Sequence, residues 1–238
     1  KKVDIQVMSM IEDGMDILDV GGYSSRPGAK EISINEEINR VIPVVKFLRK
    51  TYPELILSVD TFRSEVARNC LDLGIDIIND ISAGCIDKNI LDVVAEYNCP
   101  YIMMHMKGTP QTMQNNPAYE NLIKELLIYF AKRIYSAREK GIIDIIVDPG
   151  FGFGKTLDHN YTIMKKIQNF KLLDLPILVG ISRKSFITKQ LDIDKKDSLN
   201  GTTALNMYFL EKNVNILRVH DVKEAKECIM LHEKIKSS

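Results

Sequence analysis

Seven short runs of aliphatic and β-branched residues, each followed by a stretch with helical spacing, constrain this chain more than any other feature. The runs are Asp16–Val20, Leu55–Val59, Ile75–Ile78, Tyr101–Met104, Ile142–Val147, Ile177–Gly180 and Asn215–Val219. They are almost continuously apolar, as strands buried on both faces must be. The helical stretches cover 3–13, a segment from Ser33 to about Lys50, then 62–73, 87–97, 117–140, 158–168, 198–211 and 221–235. Ser33-x-x-Glu36 reads as a capping box, and Leu122, Leu126, Phe130 and Ile134 repeat at a spacing of four. Strict alternation of this kind builds a parallel sheet. Eight helices against seven strands predict a parallel (β/α)8 TIM barrel whose first strand is missing from the given chain. The sequence therefore reads as a single domain over residues 1–238, N-terminally incomplete, with ~30–45 further residues and one strand expected before Lys1.

Composition excludes several classes of function. The chain is 45% hydrophobic and 27% charged with a formal net charge of zero, which gives no basic bias for nucleic acid or a membrane surface. No apolar run approaches the ~20 residues that span a bilayer. Cys70, Cys85, Cys99 and Cys228 are scattered and form no C-x-x-C pair. They read as reduced, mostly buried thiols of a cytoplasmic protein. The histidines show no zinc spacing.

In a barrel of this kind the active site forms where the C-terminal ends of the strands converge. The residues that end the runs are Asp19, Asp60, Asn79 with Asp80, His105, Asp148, Arg183 with Lys184, and Arg218 with His220. Asp and Asn also follow strands as caps and turn formers, a reading that suits Asp80, Asp158 and Asp221. It suits Asp60 less, because Thr61 can cap the next helix. Asp148-Pro-Gly-Phe-Gly-Phe-Gly-Lys-Thr156 looks like a phosphate loop, but the register fails both G-x-x-x-x-G-K-[ST] and G-x-G-x-x-G. Phe151 and Phe153 in that loop either face a planar ligand or pack onto the barrel rim. A second glycine-rich loop spans 21–28, and Ser182-Arg183-Lys184-Ser185 gathers two cations and two hydroxyls. The pattern predicts a mouth with a cationic side opposite an anionic one, suited to an anionic leaving group and a hydrogen-bonding heterocycle.

These segments, in order and over nearly the whole chain, resemble the dihydropteroate synthase family. The matching stretches are Asp19-Val-Gly-Gly with Arg26-Pro-Gly-Ala29, Ser58-Val-Asp-Thr61, Ile77-Ile-Asn-Asp80, Met104-His-Met-Lys-Gly-Thr-Pro-Gln-Thr-Met113, Asp148-Pro-Gly-Phe-Gly-Phe-Gly-Lys155, Ser182-Arg-Lys-Ser185 and Arg218-Val-His-Asp-Val222. The resemblance implies a (β/α)8 barrel that condenses 6-hydroxymethyl-7,8-dihydropterin diphosphate with 4-aminobenzoate. The products are 7,8-dihydropteroate and pyrophosphate, and the implied route is dissociative. It implies that Asp60, Asn79, Met104, Asp148 and Lys184 hold the pterin. Ser25, Arg218 and His220 would hold the diphosphate. Ser25, Arg26, Pro27, Phe153, Lys184 and Ser185 would border 4-aminobenzoate. By the same resemblance Asp60, Asp148, Lys184 and Arg218 would carry the catalytic role. Magnesium, sensitivity of the family to sulfonamides, and a cytoplasmic homodimer complete the expectation.

Two departures stand out. The family's Gly-Gly-Glu-Ser-Thr-Arg-Pro loop here has Tyr23 and Ser25 in place of the Glu and Thr. The asparagine that contacts magnesium belongs to the strand missing from this chain, so no metal ligand is named. Two alternatives remain at this stage. One is a pterin- or folate-binding methyltransferase barrel, which needs neither Arg218 with His220 nor the Ser182–Ser185 segment. The other is an inactive paralogue, in which the motifs would be expected to scatter.

Overall fold

The computed structural model describes residues 2–26, 28–113 and 116–238. All seven expected strands form: β1 (Ile17–Gly21), β2 (Ile56–Asp60), β3 (Ile77–Asp80), β4 (Tyr101–Met104), β5 (Ile145–Asp148), β6 (Leu178–Val179) and β7 (Ile216–Leu217). All pairings are parallel. The ladder runs β1-β2-β3-β4-β5, a single bridge between Val147 and Ile177 carries it to β6, and β6 pairs with β7.

The side chains show that this ladder wraps round on itself. Ile77, Ile102 and Leu178 form one buried cluster with Ile17, Ile146 and Ile216. Those residues come from β1, β3, β4, β5, β6 and β7, and only a sheet curled into a barrel lets them meet. The alternate residues, such as Leu57, Ile78, Tyr101, Met103, Ile145 and Val147, belong to the larger cluster beneath the helices. The two-residue period of a strand thus divides each run into a face that plugs the barrel and a face that carries the helices.

Helices α1 (Lys2–Glu12), α2 (Ile34–Thr51), α3 (Ser64–Leu71), α4 (Ile90–Tyr97), α5 (Leu122–Arg138), α6 (Leu157–Lys165), α7 (Ser185–Leu191), α8 (Leu199–Glu211) and α9 (Val222–Lys236) supply the outer layer. The spacing of four along α5 is explained, since Leu122, Leu126, Phe130 and Ile134 are all buried. Ser33 caps α2 by accepting from the Glu36 N–H. The Glu36 carboxylate goes to Arg40 instead of back to the cap, so only half of the expected box forms. The full box lies at α6, between Thr156 and His159.

Two helical expectations need correction. The helix expected over 158–168 stops at Lys165, and a tighter turn follows over Ile167–Leu173. Ile167 and Phe170 are both buried at a spacing of three, the period of a 3-10 helix. Helix α7 was hidden in the polar Ser182–Ser185 signal. It has seven residues, of which Phe186 and Ile187 are buried, too few to print a periodic pattern. It adds a ninth α-helix among the described residues.

The end of β3 is fixed by a buried carboxylate. Asp80 accepts from the N–H groups of Ser82 at 2.7 Å and Gly84 at 2.6 Å, and from the Tyr101 hydroxyl at 2.6 Å. The turn-forming reading of Asp80 is therefore correct, and the arrangement keeps the neighbouring Asn79 on the inner face. Asp80 and Tyr101 are both fully buried. Tyr101→Phe should lower the unfolding free energy by about 1–3 kcal/mol, the cost of a buried acceptor that loses a donor. Urea denaturation measures it.

Candidate functional site

Each plugging residue is followed, two positions on, by the residue that lines the mouth. Ile17 leads to Asp19, Ser58 to Asp60, Ile77 to Asn79, Ile102 to Met104, Ile146 to Asp148 and Ile216 to Arg218. The register sets Asp60 beside Asn79 and Met104 beside Asp148. Asp60, Asn79, Met104, Asp148 and Arg218, inferred from sequence, therefore stand on one rim. Met104 belongs to a cluster with Phe62, Ile81, Met106 and Met113, against which Tyr23 and Phe153 pack. The mouth thus has an apolar, methionine-rich wall.

The charges are not divided into opposite sides. Arg218 donates from Nε to Asp19 Oδ2 at 2.7 Å and from its Nη2 to Asp60 Oδ2 at 3.0 Å. The curl of the sheet brings β7 opposite β1 and β2, so the cation reaches the carboxylates directly. Asn79 Nδ2 also donates to Asp19 Oδ2, at 3.0 Å. Asp19 was read only as a strand end, yet it is where Arg218 and Asn79 meet. Its second oxygen, Oδ1, is buried and accepts no hydrogen bond among the described residues. Burial holds the Asp60 carboxyl above its ordinary range, while Arg218 opposes that shift and Asp19 adds to it. One guanidinium serves two carboxylates, so one of them is undercompensated.

The Ser182–Ser185 segment also divides. Arg183 turns away and pairs with Asp221 through two hydrogen bonds, at 2.8 and 2.6 Å. It offers the mouth no free cation, and Asp221 serves that pair instead of capping α9 with its side chain. Thr156, not Asp158, caps α6. Thr61 does not cap α3 in the ordinary way. It donates to the buried Glu37 and accepts from the Arg63 N–H. Lys184 does reach inward, donating to the Phe151 carbonyl at 2.5 Å, with its Nζ 4.8 Å from the centre of the Phe153 ring. Burial pushes the Lys184 ammonium down to about 8, against the pull of Asp148. Ser182 accepts from the His220 N–H at 3.3 Å and contacts His220 Nδ1 at 3.0 Å. Burial lowers the His220 pKa, and Lys195 and Arg218 lower it further.

The glycine-rich loop after β5 resolves the two readings of its aromatics. Phe151 is fully buried and packs on Phe186 and Phe209, whereas Phe153 is half-buried at the mouth. Asp148 accepts from the Gly150 N–H at 2.7 Å through Oδ1. It is only 7% exposed, and burial raises its pKa while Lys184 opposes the shift. Ser25 is half-buried, and Arg26 and Ser185 are exposed around the rim. Pro27 lies outside the described residues. Among the described residues, no three His, Cys, Asp or Glu side chains converge on a metal-sized point.

Residues 3–220 match the family described as pterin binding enzyme. The dihydropteroate synthase of Synechocystis sp. is 43% identical over 221 residues, covering 92% of this chain and 76% of that protein. The enzyme of the same name from Escherichia coli strain K12 is 42% identical over 226 residues, covering 94% and 79%. The chain belongs to the pterin-binding enzyme family. Among solved structures, Yersinia pestis dihydropteroate synthase in complex with a sulfonamide drug superposes with a TM-score of 0.95 at 35% identity, covering 98% of this chain and 85% of that one. The Xanthomonas albilineans enzyme with 4-aminobenzoic acid gives 0.93 at 32%, covering 100% and 86%. The TIM-barrel reading of the sequence stands.

Family membership leaves the shared guanidinium to be tested in this chain. Arg218→Met would strand Asp19 and Asp60. A fully buried pair would lose ~3–5 kcal/mol, but the Arg218 side chain is 46% exposed, so the expected loss at neutral pH is about 1–3 kcal/mol. The loss should shrink as pH falls and Asp60, whose carboxyl burial raises to about 7, takes up its proton. Urea denaturation of both proteins at pH 5 and pH 7 checks the sign.

Proposed function

We propose that this chain is a dihydropteroate synthase, which joins 6-hydroxymethyl-7,8-dihydropterin diphosphate to 4-aminobenzoate and releases pyrophosphate. The single observation that carries the reading is the inner layer of Asp60, Asn79, Met104 and Asp148, with Lys184 and Arg218 beside it. It occurs in a chain more than 40% identical to curated enzymes of that name. The same support favours this reaction over methyl transfer or an inactive barrel.

The pterin would lie on the inner layer. Among the described residues Asp148 Oδ2 accepts no hydrogen bond, which leaves it to accept the N–H groups of the pterin ring. Asn79 spends its amide N–H on Asp19 and keeps its carbonyl oxygen as an acceptor. Met104 supplies an apolar surface for the ring. Arg218, His220 and Ser25 would take the diphosphate. Ser25, Arg26, Pro27, Phe153, Lys184 and Ser185 would border 4-aminobenzoate.

In the proposed reaction the C–O bond to the diphosphate breaks, and its electron pair leaves with that group. Arg218 stabilises the departing charge, and Asp60 and Asp148 stabilise the cation left on the pterin methylene. The aniline nitrogen then attacks the carbon and loses its proton. The buried wall around Met104 keeps competing water away. Homodimeric, cytoplasmic operation goes with this proposal. Family membership supports it, as do Met230, Leu231 and Ile235 on α9, each 62% exposed.

The direct test is pyrophosphate release by the purified protein from the pterin diphosphate and 4-aminobenzoate; no release would overturn the reading. Asp148→Asn should lower kcat/KM for the pterin substrate at least about tenfold, because an amide places a donor where two N–H groups need acceptors. The Lys184 cation gives a pH signature. With its pKa lowered to about 8, kcat/KM for the pterin diphosphate should fall as pH rises through that value. Lys184→Arg, which keeps its charge, should remove that alkaline limb, whatever its absolute rate.

A further inference from the structure

Lys155 ends the glycine-rich loop and takes no part in the proposed chemistry. It is 4% exposed, and among the described residues no carboxylate lies within ion-pair distance of it. Its Nζ donates to the carbonyls of Gly150 at 2.8 Å, Phe153 at 2.9 Å and His105 at 3.3 Å, and meets His105 Nδ1 at 3.0 Å. An ammonium has three hydrogens, so these contacts use all of them.

We propose that Lys155 is a positioning residue for the 4-aminobenzoate pocket: its ammonium fastens the 149–154 turn to the backbone at His105 and so sets where Phe153 stands beside Lys184. The inference rests on the function proposed above.

Three observations carry it. First, the turn has no ladder of its own. Its carbonyls at Gly150, Phe151, Phe153 and Gly154 are held by Lys155, Lys184, Lys155 again and the Tyr119 hydroxyl. Second, the two loops touch without spare room. A Cβ at Gly150 would come within 2.0 Å of the His105 carbonyl oxygen, and φ there is +71°. Third, a cation buried on carbonyls with no carboxylate in ion-pair contact among the described residues is costly, and burial pushes Lys155 down to about 7 against the pull of Asp148. A purely apolar pin would avoid that cost.

The Asp148 backbone is held independently of Lys155. It sits in the β5 ladder opposite Met104, and its carbonyl accepts from the His105 N–H at 3.0 Å. Among the described residues its one side-chain tie to the turn is the Gly150 N–H, at the first residues of that turn. Loss of Lys155 should therefore release Phe153 while Asp148 stays in place.

The experiment is Lys155→Met, which preserves length and removes every donor. The KM for 4-aminobenzoate should rise about tenfold or more, while the Kd for 6-hydroxymethylpterin, measured by calorimetry, should change less than about twofold. Parallel loss of both, or no change in either, would overturn the inference. Phe153→Ala should add little to the defect of Lys155→Met, because the two act as one unit. Full additivity would also count against it. If Lys155→Met does not fold, nitrogen-15 NMR of lysine-labelled wild type decides. The Lys155 Nζ signal should move when 4-aminobenzoate joins a complex of protein, pterin and pyrophosphate, and a static signal would overturn the proposal. Wild type that releases no pyrophosphate would instead sink the function itself. Wild type that turns over beside a Lys155→Met variant with no split sinks only the positioning role.

Discussion

Alternation of side chains across a parallel strand is the constraint on which this molecule depends. Once one residue of a run plugs the barrel, the residue two positions later must point into the mouth. The apolar layer of Ile17, Ile77, Ile102, Ile146, Leu178 and Ile216 thus fixes the polar layer above it. A slip of one residue in any strand would bury its mouth residue under the helices and turn a core residue into the barrel. The packing that stabilises the fold is thereby also what aims Asp60, Asn79 and Asp148.

Above that layer, precision comes from loops held by side chains, not by ladders. The turn after β5 is tied down by Lys155, Lys184 and Tyr119. Arg63 does similar work near the first loop. It donates to the Ile32 carbonyl at 2.7 Å and to Glu37 at 2.9 Å, and its guanidinium lies over the Tyr23 ring. Tyr23, which stands where the family has an acid, accepts a 2.7 Å hydrogen bond from Gln111. The first loop and the loop after β4 therefore touch through an uncharged contact.

The sequence showed what repeats and concealed what depends on closure. Runs of apolar residues located every strand among the described residues, and the residue ending each run found most of the mouth. Asp19 looked like one strand end among several, because its meeting with Arg218 spans 199 positions of sequence and follows from the ring alone. Arg183 and Lys184 are adjacent and chemically alike, yet one faces Asp221 and the other faces the mouth. Nothing in their order shows that Arg183 takes a left-handed backbone, with φ of +54°. Phe151 and Phe153 were ambiguous for the same reason, since glycines on either side free the backbone to turn each ring either way.

The span of Arg218 from the last strand to the first two has a consequence for how ligands sense one another. A polyanion that draws the guanidinium to itself leaves Asp19 and Asp60 facing each other without their shared ion-pair partner. Two carboxylates so exposed attract a positive centre, and a positive centre placed there frees the guanidinium in turn. Coupling of this kind is reciprocal by thermodynamic necessity. A molecule with an anionic tail and a ring able to bear positive charge would satisfy both halves of the exchange at once. Either half alone would leave the mouth electrically unbalanced.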